Sequence, residues 1–120
     1  MGVVIDYTSG FFEAAPTGET VGSITGNATL DLTSGNVFSH APSANATFVF
    51  SNPPASGTGY DFTLKVTPSA TVTITWPSSV KWAGGTAPTA PANNETDVYS
   101  FFTTDGGTSY YGFQAGDALA

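Results

Sequence analysis

The only two tryptophans of the chain, Trp76 and Trp82, stand six positions apart in "ITWPSSVKWAGGTAP", Ile74 to Pro88, among proline, serine and glycine. An indole exposed on a Gly/Pro-rich turn offers a flat apolar face and one N–H donor, a combination that suits stacking against a sugar ring. Strand alternation separates the pair. In "ATVTITW" the residues Ala70, Val72, Ile74 and Trp76 share one face and Thr71, Thr73 and Thr75 the other, so Trp76 joins the inward set. Pro77, which has no N–H to give to a ladder, ends that strand. Trp82 carries no such register and opens an Ala-Gly-Gly loop, which makes it the candidate exposed aromatic contact.

Acid–base and metal chemistry have little to draw on. His40, in "NVFSHAPS", is the one histidine and reads as a loop residue before Ala-Pro. With no cysteine there is no disulfide, thiolate ligand or cysteine nucleophile, and a structural zinc site needs several His or Cys ligands. The nine carboxylates are dispersed from Asp6 to Asp117, with no flanking pair of the kind a glycosidase uses and no Asp-x-Asp-x-Asp-Gly calcium loop. Most of them read as solvated strand-face or turn residues, with calcium through Asp97, Asp105 or loop carbonyls the one metal reading left open. Neither G-x-S-x-G nor a phosphate-cradling Gly-Lys-Ser/Thr loop occurs. The expectation is a protein that is not an enzyme, with no catalytic residue, metal or cofactor. Asn-x-Thr triplets at Asn27, Asn45 and Asn94 are unsurprising in a chain this rich in Asn and Thr.

Charge narrows the partners. Lys65 and Lys81 stand alone against nine Asp and Glu, giving a formal net charge of -7. Nucleic acid and anionic membrane surfaces both ask for clustered Lys or Arg, so neither is an expected partner. Only 9% of residues are charged, and Thr, Ser, Gly, Asn and Ala supply most of the polar surface. Such a surface repels its neighbours weakly, as suits proteins packed side by side. "MGVVIDYTSGFF" has neither the basic start nor the long apolar run of a signal peptide.

These residues are positioned by strands. "YDFTLKV" alternates Tyr60, Phe62, Leu64 and Val66 against Asp61, Thr63, Lys65 and Thr67, and "ATLDLT" and "ATFVF" repeat the period of two. Pro68-Ser69 reads as a tight turn joining residues 60–66 and 70–76 into a hairpin. Asp105-Gly106-Gly107, between "DVYSFFTT" and "TSYYGFQA", is a strong hairpin signal because glycine accepts the positive φ of such turns. Gly112 inside the second run points to a bulge or a close approach. The loops "NPPASGTG" and "AGGTAPTAPANN" are too rich in Pro and Gly for strand interiors. The chain therefore reads as all-β: a single antiparallel β-sandwich or jelly roll of seven to nine short strands. Residues 27–120 form the domain, and residues 1–26 are an N-terminal arm or edge strands. In that arm Val3, Val4, Ile5, Tyr7, Phe11 and Phe12 are the candidate partner-binding residues, because an unpaired strand edge accepts a strand from another chain.

Three blocks, taken in order, carry a likeness. "GNVF…FSNPPASG", "ITWP…VKW" and "DGGT.YYGF" span Leu30 to Phe113 together with the residues between them. This arrangement resembles a module recurrent in bacteriophage virion proteins, in tail-fibre segments and related structural proteins of marine and cyanobacterial phages. The resemblance implies a non-enzymatic structural protein and brings no catalytic residues. Long fibres carry such a module at the end of a much larger chain, whereas here about thirty residues precede it, so a small separate protein is expected. The reading is a capsid decoration (cement) protein on the capsid exterior, assembled in the host cytoplasm. Its partners would be the major capsid protein and copies of itself, as dimer or trimer. The alternative is a tail-fibre tip or receptor-binding module that recognises a host surface glycan.

Overall fold

The computed structural model describes residues 4–6, 11–13, 21–25 and 28–120. The chain is all-β. Five strands form the larger layer: β5 (Val37–His40), β8 (Tyr60–Val66), β10 (Val80–Lys81), β11 (Thr96–Thr103) and β12 (Tyr110–Leu119), in the order β10-β12-β11-β8-β5. Against it lie two smaller pieces. One is a three-stranded sheet, order β3-β4-β7, of β3 (Ile24–Thr25), β4 (Thr29–Asp31) and β7 (Val49–Ser51); the other pairs β6 (Ala46–Thr47) with β9 (Ile74–Thr75). The result is a β-sandwich of ten strands, β3 to β12. The count exceeds seven to nine because β3, β6, β9 and β10 are two residues each.

Alternation places the side chains as expected. Phe62, Leu64 and Val66 are buried while Asp61 and Lys65 are exposed, and Ala28, Leu30, Leu32, Ala46, Phe48 and Val72 are buried in turn. The closing hairpin forms too: β11 and β12 run antiparallel, with Gly106 and Gly107 at φ 69 and 81 in the turn.

The pairing of strands departs from the antiparallel reading. β4, β5 and β6 are followed by β7, β8 and β9, and each strand of the second trio runs parallel beside its counterpart: Thr29 with Val49, Val37 with Thr63, Ala46 with Ile74. The chain therefore makes two stacked turns, each visiting the three-stranded sheet, the large sheet and the two-stranded ladder. The hairpin expected across Pro68-Ser69 does not form. Pro68 is itself buried, and beyond it the chain crosses to the opposite layer, where Thr73 and Thr75 accept backbone hydrogen bonds from Ala46 and Phe48. β10 also runs parallel to its neighbour β12.

The core lies between the layers and is aromatic. Phe62 of β8 meets Phe38, Phe50, Phe101 and Tyr110 with ring centroids 5.0–6.0 Å apart, and Phe50 from the smaller layer also meets Phe101 and Tyr110. Each such ring contributes roughly 1.5–3 kcal/mol relative to exposure.

At the N-terminal end, Val4–Asp6 (β1) pairs antiparallel with Phe11–Glu13 (β2), Ile5 opposite Phe12. Of the candidate arm residues, Val4, Ile5, Phe11 and Phe12 thus lie on a small ladder of their own, and Val3 and Tyr7 fall outside the described residues. Ile24 and Thr25 already pair with β4, as edge-strand residues of the sandwich.

Candidate interaction surface

The two tryptophans form one corner. β9 ends at Thr75, Trp76 follows, and after Pro77 the chain turns into β10 through a Val80 N–H bond to the Pro77 carbonyl at 3.1 Å. Trp76 stacks on Phe48 (4.9 Å, 15°) and meets Tyr99 edge-on at 4.8 Å, as its inward register requires. Trp82 is half-buried rather than exposed, which corrects the sequence reading. Its ring packs edge-on against Trp76 (5.3 Å) and Phe101 (5.6 Å) because Gly112 leaves room: a Cβ there would sit 2.9 Å from Trp82 Cζ3 and 2.9 Å from Val80 Cγ1. The expected close approach at Gly112 is thus present, with no bulge required. Trp82→Ala should lower the unfolding free energy by about 2 kcal/mol, part of the cost of emptying a fully buried aromatic site. A urea melt checks this, and an unchanged midpoint would return Trp82 to the surface.

Two hollows adjoin this corner. One, of about 430 Å³, is lined by Trp82, Thr86, Pro88, Phe113 and Gln114, among others; the other, of about 400 Å³, opens where the layers part, among Phe48, Phe50, Pro53, Trp76, Pro77 and Tyr110. Neither is lined by a carboxylate, histidine or lysine, the side chains that most often serve as a general base. His40 lies on β5 rather than in a loop, half-buried edge-on to Phe48 at 5.6 Å, and burial lowers its pKa. Among the described residues no three His, Asp or Glu gather as for a metal ion.

The outer face of the large sheet is distinctive. Phe102, Tyr111 and Phe113 are exposed there by 38%, 44% and 54%, although ten strands offer an interior to hide them. Phe102 stacks on Tyr111 (5.1 Å, 27°) and lies nearly parallel to Phe113 (6.2 Å, 12°). Their inward neighbours Phe101, Tyr110 and Gly112 are buried, so strand alternation itself puts these rings in solvent.

One polar group escaped sequence reasoning. Asp97, read from the sequence only as a candidate calcium ligand among the dispersed carboxylates, is completely buried. Its carboxylate accepts the Ala118 N–H at 2.8 Å, Gln114 Nε2 at 3.0 Å and the Tyr99 hydroxyl at 3.3 Å. The signal was available: the alternation that carries Tyr99 and Phe101 inward carries Asp97 with them. Burial first, then the charge and hydrogen bond of Asp97, push the Tyr99 phenol well above its ordinary 10.0, and burial also raises Tyr110. A group whose folded pKa is raised leaves stability intact below its unfolded pKa and loses it above. Urea midpoints should therefore stay level from neutrality to about pH 10 and fall beyond it. Tyr99→Phe should flatten that fall; a wild-type midpoint constant past pH 10 would contradict the assignment.

No family model, curated protein or solved structure matches the chain.

Proposed function

We propose that the chain is a non-catalytic structural protein of a bacteriophage particle, a decoration protein bound to the outer face of the capsid lattice. One observation carries the reading: the sequence blocks that resemble virion modules pack upon one another. The "FSNPPASG" loop sits on the closing turn, where a Cβ at Gly107 would lie 2.8 Å from Pro53 Cγ, and Gly57 N–H bonds the Thr104 carbonyl at 2.9 Å. The "ITWP…VKW" corner sits on "YYGF" through Gly112. Phe38 of "GNVF" meets Phe62, which in turn meets Phe50 and Tyr110. The blocks are therefore packing elements of one domain, which suits a protein that serves by its shape and outer surfaces. The N-terminal ladder Val4–Asp6 with Phe11–Glu13 supplies a strand pair able to extend a capsid-protein sheet.

Quantitative mass spectrometry of purified particles tests the reading, with hundreds of copies expected per particle. A chain lacking residues 1–13 should fail to sediment with heads and still melt like the full chain. Heads that retain the shortened chain would remove the ladder from the interface.

The tail-fibre-tip alternative draws on the hollow beside Trp82, whose Phe113 wall and polar Thr86 and Gln114 suit a sugar ring. It predicts a handful of copies on the tail and binding on a glycan array.

A further inference from the structure

We propose that the outer face of the five-stranded sheet docks a second copy of this chain, face to face, about a two-fold axis parallel to the strands between β11 and β12. The register sets one row across four strands: Lys81 beside Tyr111, Tyr111 beside Phe102, Phe102 beside Asp61. All four are exposed, with buried Val80, Tyr110, Phe101 and Phe62 as their inward neighbours. The row thus reads cation, ring, ring, anion, over roughly 14 Å at ordinary strand spacing. The next row places Phe113 beside Ser100 and Ser100 beside Thr63.

The proposed rotation lays β10 over β8 of the second copy and β12 over its β11. Lys81 then faces Asp61 of the second copy, and Tyr111 faces its Phe102. Phe113, the most exposed ring, faces its Ser100, a small residue that leaves room for it. Each contact occurs twice. A two-fold at right angles, along the row, would set Lys81 on Lys81 and Asp61 on Asp61, so the charges themselves select the axis. Sheets packing face to face keep their strands within about 30° of alignment, which this axis allows.

The rest of the chain's charge favours the same face. Both of its lysines stand there, Lys65 on β8 being exposed between buried Leu64 and Val66, in a molecule of net charge -7. This is where two acidic copies approach with least repulsion. A sugar fits the three rings less well, because Phe102 and Tyr111 stack at 5.1 Å and cover part of each other's faces.

The two rows cover on the order of 260 Å² per copy from strand spacing and rise, about a third of the ~800 Å² of a standard interface. The pair should therefore be weak and form only at high concentration. It does not rest on the virion reading. A monomer in solution would leave that reading standing, and particles without the chain would leave the dimer standing.

Analytical ultracentrifugation of the 120-residue chain, from about 1 µM to 1 mM, covers the range of weak association and tests the proposal. Wild type should pass from monomer to dimer. Lys81→Asp and Asp61→Lys should each weaken the dimer at least about tenfold by opposing like charges, and the double reversal should restore it. Phe113→Ser should abolish it over the same range. All three positions changed in these variants are exposed, so melting temperatures should match wild type. If one reversal fails to fold, Phe113→Ser and the other reversal still decide. A monomer at every concentration, a dimer indifferent to these changes, or a double reversal as weak as the singles would overturn it.

Discussion

Replacing Asp97 by alanine is expected to remove about 3 kcal/mol of stability, a large share of the roughly 5–15 kcal/mol that holds a domain of this size. The side chain has no solvent exposure and receives three donors, so its loss orphans them unequally. Gln114 is exposed and can turn to water. The Tyr99 hydroxyl loses an acceptor where water has little access, at about 1–3 kcal/mol for a buried group left unmade, and the Ala118 N–H loses a part-buried one. The position sharpens the effect. Between Thr96 and Tyr99 the β11–β12 ladder shifts register, and Ala118 is held at φ 51, a left-handed conformation that alanine rarely adopts. The Asp97 carboxylate takes the amide that this irregular backbone presents, and so fastens the last turns of β12. Urea unfolding should show the lower midpoint with an unchanged slope, and hydrogen exchange should show Gln114–Leu119 opening first. A midpoint within about 0.5 kcal/mol of wild type, the range of ordinary surface changes, would mean that Asp97 is no pin.

Phe62→Ala should cost more, about 3–5 kcal/mol, and bring the chain close to unfolding at ambient temperature. Phe62 is 1% exposed and touches five rings: Tyr60 on its own strand, Phe38, Phe101 and Tyr110 in the same sheet, and Phe50 across the layers. Five ring neighbours cannot all close over the space left by one, so the cavity term adds to the lost transfer energy. Phe62→Leu should cost markedly less, because it keeps most of the volume. Equal losses for Ala and Leu would show that the site relaxes and that the aromatic core is not a close-packed unit. Calorimetry of the three proteins separates these outcomes.

Which residues face inward was legible in the sequence; which strands pair was not. The alternation in "YDFTLKV" and the Asp105–Gly107 turn report local facts, the side of a pleat and a reversal of direction, and both are present. The partner of a parallel strand is set by what the chain does in between. β5 reaches β8 only after β6 and β7 have crossed the other layer, and no local pattern records such a return. Pro68-Ser69 looked like a hairpin turn because turns and layer crossings use the same residues. Trp82 resisted reading for a related reason: its burial depends on Gly112, thirty positions later, leaving space beside it. Asp97 was readable in direction but not in consequence, since its donors Gln114 and Ala118 lie 17 and 21 residues away. The exposed rings on β11 and β12 were visible as aromatic runs, and only the sheet order brings them beside Lys81 and Asp61.

The proposed role, service by shape and surface on a virus particle, requires the sandwich to be a repeated part of the particle's shell. Electron cryomicroscopy of intact particles tests it most directly. Density for the ten-strand sandwich is expected to repeat across the outer capsid lattice, with the Val4–Asp6 and Phe11–Glu13 ladder directed to the shell. Density confined to the tail tip, or particles bearing no such domain, would contradict it.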